Sequence, residues 1–251
     1  MINLMSIGSG SSGNCLYLEI NGKRLLIDVG LPAKSIRDAL KTAGTELIDL
    51  DAVLITHTHS DHIRGLDVFR KYIRCPLYMS EISCAKLFSY SPRPLPVERP
   101  FDITDGITVK AFDTSHDCPG SIGFRFDYEG GSFGYATDLG CITDRIREIL
   151  TGCESLVIES NHDKLMLRNG PYPYVLKRRI LSDNGHLSND DCAEAASFFA
   201  HNGTKNIFLA HLSRENNDPQ IARSTVASKL TDCNVCLRVL PAGADRLISL
   251  E

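Results

Sequence analysis

No stretch of the chain approaches the ~18 consecutive apolar residues that a membrane-crossing helix needs, so no membrane partner is expected. The opening segment, MINLMSIGSGSSG, has neither a basic stretch nor a long apolar one, so no secretory leader is expected either. Neither sign of charge dominates: 27 Lys and Arg face 31 Asp and Glu, for a formal net charge of −4. That removes a polybasic footprint from consideration. It does not remove nucleic acid, because bound divalent cations would add positive charge where a phosphate sits. The nine cysteines are odd in number and scattered, unlike a secreted disulfide framework. They point to the reducing cytoplasm, with most thiols serving as small buried apolar groups.

Repeats, low-complexity tracts and long linkers are also missing. The 251 residues are 43% apolar and 23% charged, the composition of an ordinary globular chain. That is too hydrophobic and too weakly charged for disorder. One continuous domain over 1–251 is expected, since α/β folds of this size are often undivided. Alternating or short apolar runs predict strands at 2–7, 15–20, 24–28, 51–56, 76–80, 107–113, 121–128, 132–137, 155–160, 206–210, 234–239 and 245–250. Helices are predicted at 33–44, 62–73, 142–150, 172–182, 189–202 and 218–230. The proline-rich stretch 91–100 reads as an extended surface connection. Strand-rich runs followed by helix-and-strand runs suggest two sheets with helices packed outside them, an α/β layered sandwich.

The most informative segment is Thr56-His57-Thr58-His59-Ser60-Asp61-His62, directly after the apolar run VLI. Three imidazoles and a carboxylate fall within six positions, and these are the ligands that zinc and its first-row neighbours accept. His57 and His59 alternate, so in extended backbone they share a face. Asp61 and His62 open the following helix and could turn toward a second ion. Further along, DTSHDCPGSIGF carries His116, FGYATDLG carries Asp138 and NIFLAHLSREN carries His211, each at or just past the end of a strand. Upstream, LLIDVG places Asp28 at another strand end.

His-x-His-x-Asp-His with these companions resembles the metallo-β-lactamase fold superfamily, over nearly the whole chain. The resemblance implies a four-layer αββα sandwich with the metal site at one edge. It implies two divalent ions, Zn2+ first and Mn2+ or Fe2+ as alternatives. His57, His59 and His116 would hold one ion; Asp61, His62 and His211 the other; Asp138 would bridge them, and Asp28 would brace the metal loop. Because four of the seven ligands are local and three come from distant loops, metal binding and folding should be coupled.

The segment GHLSNDDCAEAASFFAHN followed by GTKNIFLAHLSRE resembles ribonuclease Z, and the likeness gives His186 contact with the scissile phosphate and support of the leaving group. Ser188 fits as the N-cap of the helix that follows. Catalytic roles are thus implied for His186, Asp61 and Asp138. The interval between Asp138 and His211 is too short for the cap domain of some relatives, and no long basic arm for transfer RNA is seen. What remains resembles the compact branch linked to DNA exonuclease activity, with Glu159-Ser160-Asn161-His162-Asp163 and HLSRENN as further points of likeness. Glu159 and His162 either line the cleft or are structural.

The Gly/Ser-rich opening loop could face an anion with its backbone N–H groups. Ser12 and Asn14 in that loop, with Asn161 and His162, are the candidate substrate contacts. Cys118 could approach the site. Cys233-x-x-Cys236 has a metal-like spacing but no second pair nearby, and core packing is expected for it. Lys177-Arg178-Arg179 is either a phosphate contact or a solvated helix face.

The expected function is hydrolysis of nucleic-acid phosphodiester bonds, DNA rather than RNA, by water activated between two ions. Thioester hydrolysis of the glyoxalase II kind and metal binding without turnover are the alternatives. The oligomeric state is open, a homodimer being one option.

Overall fold

The computed structural model describes residues 1–244 and 246–250. Asp245, inside the expected strand 245–250, and Glu251, at the end of the expected domain, lie outside the described residues. The strands run in chain order as β1 (Ile2–Gly8), β2 (Cys15–Ile20), β3 (Lys23–Ile27), β4 (Ala52–Leu54), β5 (Leu77–Met79), β6 (Arg93–Pro94), β7 (Pro100–Thr104), β8 (Ile107–Asp113), β9 (Ile122–Tyr128), β10 (Gly131–Ala136), β11 (Ser155–Glu159), β12 (Asn206–Ala210), β13 (Cys236–Val239) and β14 (Ile248–Leu250). Among the described residues they form two seven-stranded mixed sheets, ordered β14-β1-β2-β3-β4-β5-β6 and β13-β12-β11-β10-β9-β8-β7. The helices are α1 (Ala33–Thr42), α2 (Ser60–Ile63), α3 (Leu66–Phe69), α4 (Glu81–Lys86), α5 (Asp144–Leu150), α6 (Lys164–Asn169), α7 (Tyr174–Ile180), α8 (Asn189–His201) and α9 (Pro219–Ala227).

Successive side chains of a strand face opposite ways, and here both faces are apolar because both are covered. On β2, Leu16, Leu18 and Ile20 pack between the sheets, while Cys15 and Tyr17 turn outward onto the α1 and α3 side. On β11, Val157 points between the sheets and Leu156 and Ile158 pack under α5, α8 and α9. The central layer adds Phe124, Phe126 and Phe133, all without solvent exposure. Three apolar layers therefore separate four layers of secondary structure: an αββα sandwich.

Several elements differ from the sequence expectation. The helix expected over 62–73 is broken into α2 and α3 at Gly65. There the Gly65 N–H donates to the Val29 carbonyl at 2.8 Å. A Cβ at Gly65 would sit 1.9 Å from the Leu31 carbonyl oxygen, so the chain crosses the 28–31 loop too closely for any other residue. The proline-rich stretch holds β6, a two-residue edge strand paired with β5, and Pro100 opens β7. Both proline positions lie at a sheet edge or a strand start, where a missing ladder donor is tolerated. The helices α4 and α6 were not anticipated. They are six residues each and are set by their caps: Ser80 accepts from the Ser83 N–H, and Asp163 accepts from the N–H groups of Leu165 and Met166.

β8, β10, β11 and β12 run in the same direction, since β8 and β10 each pair antiparallel with β9, and β10, β11 and β12 pair in parallel. β3 and β4 are likewise parallel. Their carboxyl ends supply the loops described next.

Candidate active site

β4 ends at Leu54, and the metal-type loop begins at Thr56. Asp28, just past β3, is fully buried and anchors that loop. Its carboxylate accepts from the Thr56 N–H at 2.8 Å, from the Thr56 hydroxyl at 2.9 Å, and from His62 Nδ1 at 2.8 Å. A hydrogen bond from Nδ1 to Asp28 makes Nε2 the atom that His62 would offer to an ion. Asp28, Asp138 and His211 all have φ between 55° and 64°. Asp and His tolerate this left-handed region better than branched residues do; Asp138 and His211 line the cleft, while Asp28 stays beneath the metal loop. The approach of the 28–31 loop is close here too. A Cβ on Gly30 would lie 1.7 Å from the Asp61 carbonyl, so the Asp61 backbone position depends on that glycine.

The structure brings all seven expected ligand residues to one place, at the strand-end edge of the sandwich. His57 Nε2 lies 3.1 Å from His59 Nδ1, which lies 3.2 Å from His116 Nε2. Asp138 stands between this trio and the rest: one carboxylate oxygen is 3.4 Å from His62 Nε2, the other 3.6 Å from His211 Nε2 and 3.9 Å from His116 Nε2. Asp61 is 3.7 Å from His62 Nε2. His57, His59 and His116 could hold one cation; Asp61, His62 and His211 could hold another. The fit is also seen in what lacks a partner. Asp138 Oδ2 and His211 Nε2 are buried with no hydrogen bond. Each such group costs about 1–3 kcal/mol unless something binds it. Imidazole nitrogens and carboxylates facing one another at these distances are a donor set for divalent transition metals.

The charges are tightly coupled. Burial pushes His57 well below its ordinary pKa, and the neighbouring His62 pushes the same way. Burial would also lower His62 and His211, but carboxylates override it. Asp138 and Asp28 lift His62 to about 9, and Asp138 and Glu159 lift His211 to about 10. Burial opposes ionisation of Asp138, yet His211, His62 and His57 hold its carboxyl well below the usual range. The centre is built to keep carboxylate charge in a buried place, which only cations or protonated imidazoles can balance.

His186 sits beside this group on a cleft of about 340 Å3, together with Asp61, His116, Asp138 and His211. Its Nδ1 lies 2.8 Å from Glu159 Oε1, and the same oxygen lies 2.6 Å from His211 Nδ1. The other Glu159 oxygen accepts from the N–H groups of Leu139 at 3.0 Å and Leu187 at 3.2 Å. Burial works against the Glu159 charge, but His186 and His211 hold its pKa down to about 2. Burial would lower His186, and Glu159 raises it overall. Glu159 thus orients two rings at once. The sequence left its role open; the available signal was an acidic residue closing an otherwise apolar strand. Ser188 caps α8, accepting from the Asp191 N–H, and so fixes the segment that carries His186.

The candidate substrate contacts are spread out. Asn14 is buried and holds the metal loop, with its side-chain amide 2.9 Å from His62 Nε2 and 3.3 Å from Asp61. Asn161 lines the cleft and donates to the His211 carbonyl at 2.8 Å. Ser12 does not line the cleft, although its neighbour Ser11 does; its hydroxyl accepts from Arg214 at 2.9 Å. His162 is 1% exposed, does not line the main cleft, and has neither ring nitrogen bonded. The opening loop uses several backbone N–H groups internally: Gly10 N–H donates to Asn14 Oδ1, and Gly13 N–H to the Gly10 carbonyl.

Three further expectations are corrected or resolved. Cys233 is half-buried and packs against the core under α8 and α9, as expected, whereas Cys236 is exposed at the start of β13, so core packing holds for the first cysteine of the pair and not for the second. Cys118 is buried against the Thr58 hydroxyl at 3.5 Å. Of the three basic residues in α7, Lys177 caps the carbonyls of Arg168 and Gly170, while Arg179 lines the cleft and pairs with Asp117. Asp117 in turn lies 3.6 Å from His116 and 3.8 Å from His59.

Comparison with known proteins agrees with this architecture. The sequence profile of the beta-lactamase superfamily domain matches residues 23–212. The chain belongs to that superfamily. It is 37% identical to exodeoxyribonuclease YycJ of Bacillus anthracis over 233 residues, covering 90% of this chain and 88% of that protein. It is 39% identical to exodeoxyribonuclease WalJ of Streptococcus pneumoniae serotype 2 over 238 residues, covering 91% and 88%. In fold it is similar to the metallo-beta-lactamase fold protein YhfI of Bacillus subtilis, with a TM-score of 0.73 at 16% identity over 98% of each chain. The human short-form tRNase Z gives a TM-score of 0.65 at 16% identity over 99% of each chain. No helix among the described residues is long and apolar enough to cross a membrane.

Proposed function

We propose that the protein is a two-metal phosphodiesterase that removes nucleotides from DNA. The observation that carries the reading is the junction of two parts: a seven-residue donor cluster with orphaned buried atoms, and His186, oriented by Glu159, on the same cleft. The relatives named exodeoxyribonucleases, similar along most of both chains, support DNA as the substrate. His57, His59 and His116 would hold one ion, Asp61, His62 and His211 the other, with Asp138 between them and zinc the first candidate. Such ions supply Lewis acidity and an activated water when bound.

The protein's own groups do the rest. Asp138 keeps its charge in the buried centre, and Asp28 holds His62 in the tautomer that offers Nε2. Glu159 accepts a hydrogen bond from His186 Nδ1–H, leaving Nε2 for the cleft. Its charge also raises the proton affinity of the ring, so His186 can give a proton to the departing oxygen. The nine free cysteines suit a cytoplasmic enzyme.

Elemental analysis of the purified protein, then digestion of end-labelled single- and double-stranded DNA and RNA with Zn2+, Mn2+ or Fe2+, tests this. Nucleotides released from one end of DNA are expected. His186→Ala should lower turnover by about 10²–10⁴ with metal content unchanged. Intact DNA under every ion, beside turnover of a thioester, would sink the reading.

A further inference from the structure

A second cavity, of about 290 Å3, adjoins the cleft. Among the lining residues of the two, only His186 is common to both. Neighbouring residues divide between them: Asn161 and Ile180 line the cleft, while His162 and Leu181 line the second cavity. His186 is therefore the partition.

The second cavity has its own chemistry. His162 is buried in its wall with neither nitrogen bonded, offering one donor and one acceptor. Lys164 and Asp191 also line it and neutralise one another: the ammonium lies 3.1 Å from Asp191 and 3.8 Å from Asp190. Arg168 lines it as well, and its exposed guanidinium has no hydrogen bond or ion pair among the described residues. An unpaired planar cation and a buried, unsatisfied imidazole lining the same cavity suit an anion with several acceptor oxygens.

We propose that this cavity is a phosphate subsite, taking the next phosphate along the nucleic-acid chain on the leaving-group side of the scissile bond. Arg168 would grip its oxygens and His162 would contact them from beneath. The side follows from the partition: His186 protonates the departing oxygen, so the departing nucleoside passes His186 into this cavity. The inference rests on the phosphodiesterase reading above.

Two substrates test it: a deoxydinucleotide with a single phosphodiester, and the same molecule carrying a phosphate ester on the outer hydroxyl of its leaving nucleoside. The wild-type metal-loaded enzyme should favour the second by about tenfold in kcat/KM, the worth of one charge-assisted contact. Arg168→Ala should bring the ratio near one, Arg168→Lys should keep part of it, and added salt should shrink it. Independently, inorganic phosphate should shift the His162 ring signals in NMR spectra of the wild type and not of Arg168→Ala. Equal use of both substrates by the wild type, or a preference that survives Arg168→Ala, overturns the subsite while the phosphodiesterase reading stands. If neither substrate is cleaved and longer DNA also stays intact with every ion, that reading falls and the subsite with it; if longer DNA is cleaved, an absent His162 shift with phosphate overturns the subsite alone.

Discussion

Glu159→Gln is the substitution from which the site has most to lose for the least change in shape. Each carboxylate oxygen accepts two hydrogen bonds: Oε1 from the Nδ1 atoms of His186 and His211, Oε2 from the N–H groups of Leu139 and Leu187. Glutamine has one acceptor oxygen and one NH2. If the oxygen faces the rings, the NH2 meets two buried backbone donors, and leaving both unpaired costs about 1–3 kcal/mol each. If the oxygen faces the backbone, the NH2 meets both imidazoles. Their protons must then move to Nε2, and His211 no longer has that atom, 3.6 Å from Asp138, free to bind an ion. Disturbing such an outer partner costs about 10–100-fold in metal affinity. Neither orientation satisfies all four neighbours. We expect a metal-free stability loss of about 2–6 kcal/mol or a metal-affinity loss in the range above, with part of each as the side chain divides between the two states. Urea unfolding of the metal-free protein and competition with a chelator measure the two. A variant matching the parent in both would refute the idea that Glu159 orients these rings.

Two other outcomes follow from the same geometry. Asp28→Asn should loosen the His62 tautomer and lower metal affinity by about 10–100-fold, measured by chelator competition, with the helices still visible by circular dichroism. His162, held to a pKa of about 4 chiefly by burial, is neutral in the folded protein below pH 6.5, where the unfolded chain binds a proton. Because the unfolded state binds more protons there, stability falls as pH drops from about 6.5 to 4, by up to about 3 kcal/mol from this residue. His162→Leu should flatten that slope in urea titrations at stepped pH; an unchanged slope would show that His162 is not the group responsible.

The sequence by itself determined the layers and the ligand loop. Strands such as β2 and β11 carry apolar residues on both faces, which only a doubly covered sheet can bury, and His57 to His62 place four donors in a span too short to scatter. Residues at strand ends converge because parallel strands end on the same edge, so His116, Asp138 and His211 were legible once the strands were. Tertiary structure alone decided which buried acid serves which ring. Nothing local to Glu159 says that His186 and His211, far along the chain, will share its oxygen, nor that Arg179 will meet Asp117. The break at Gly65 was likewise hidden, since its cause is the 28–31 loop pressed against it. Periodicity reports which face of an element is dry. It carries no record of what another segment brings to that face, and in this protein the chemistry lies in those meetings.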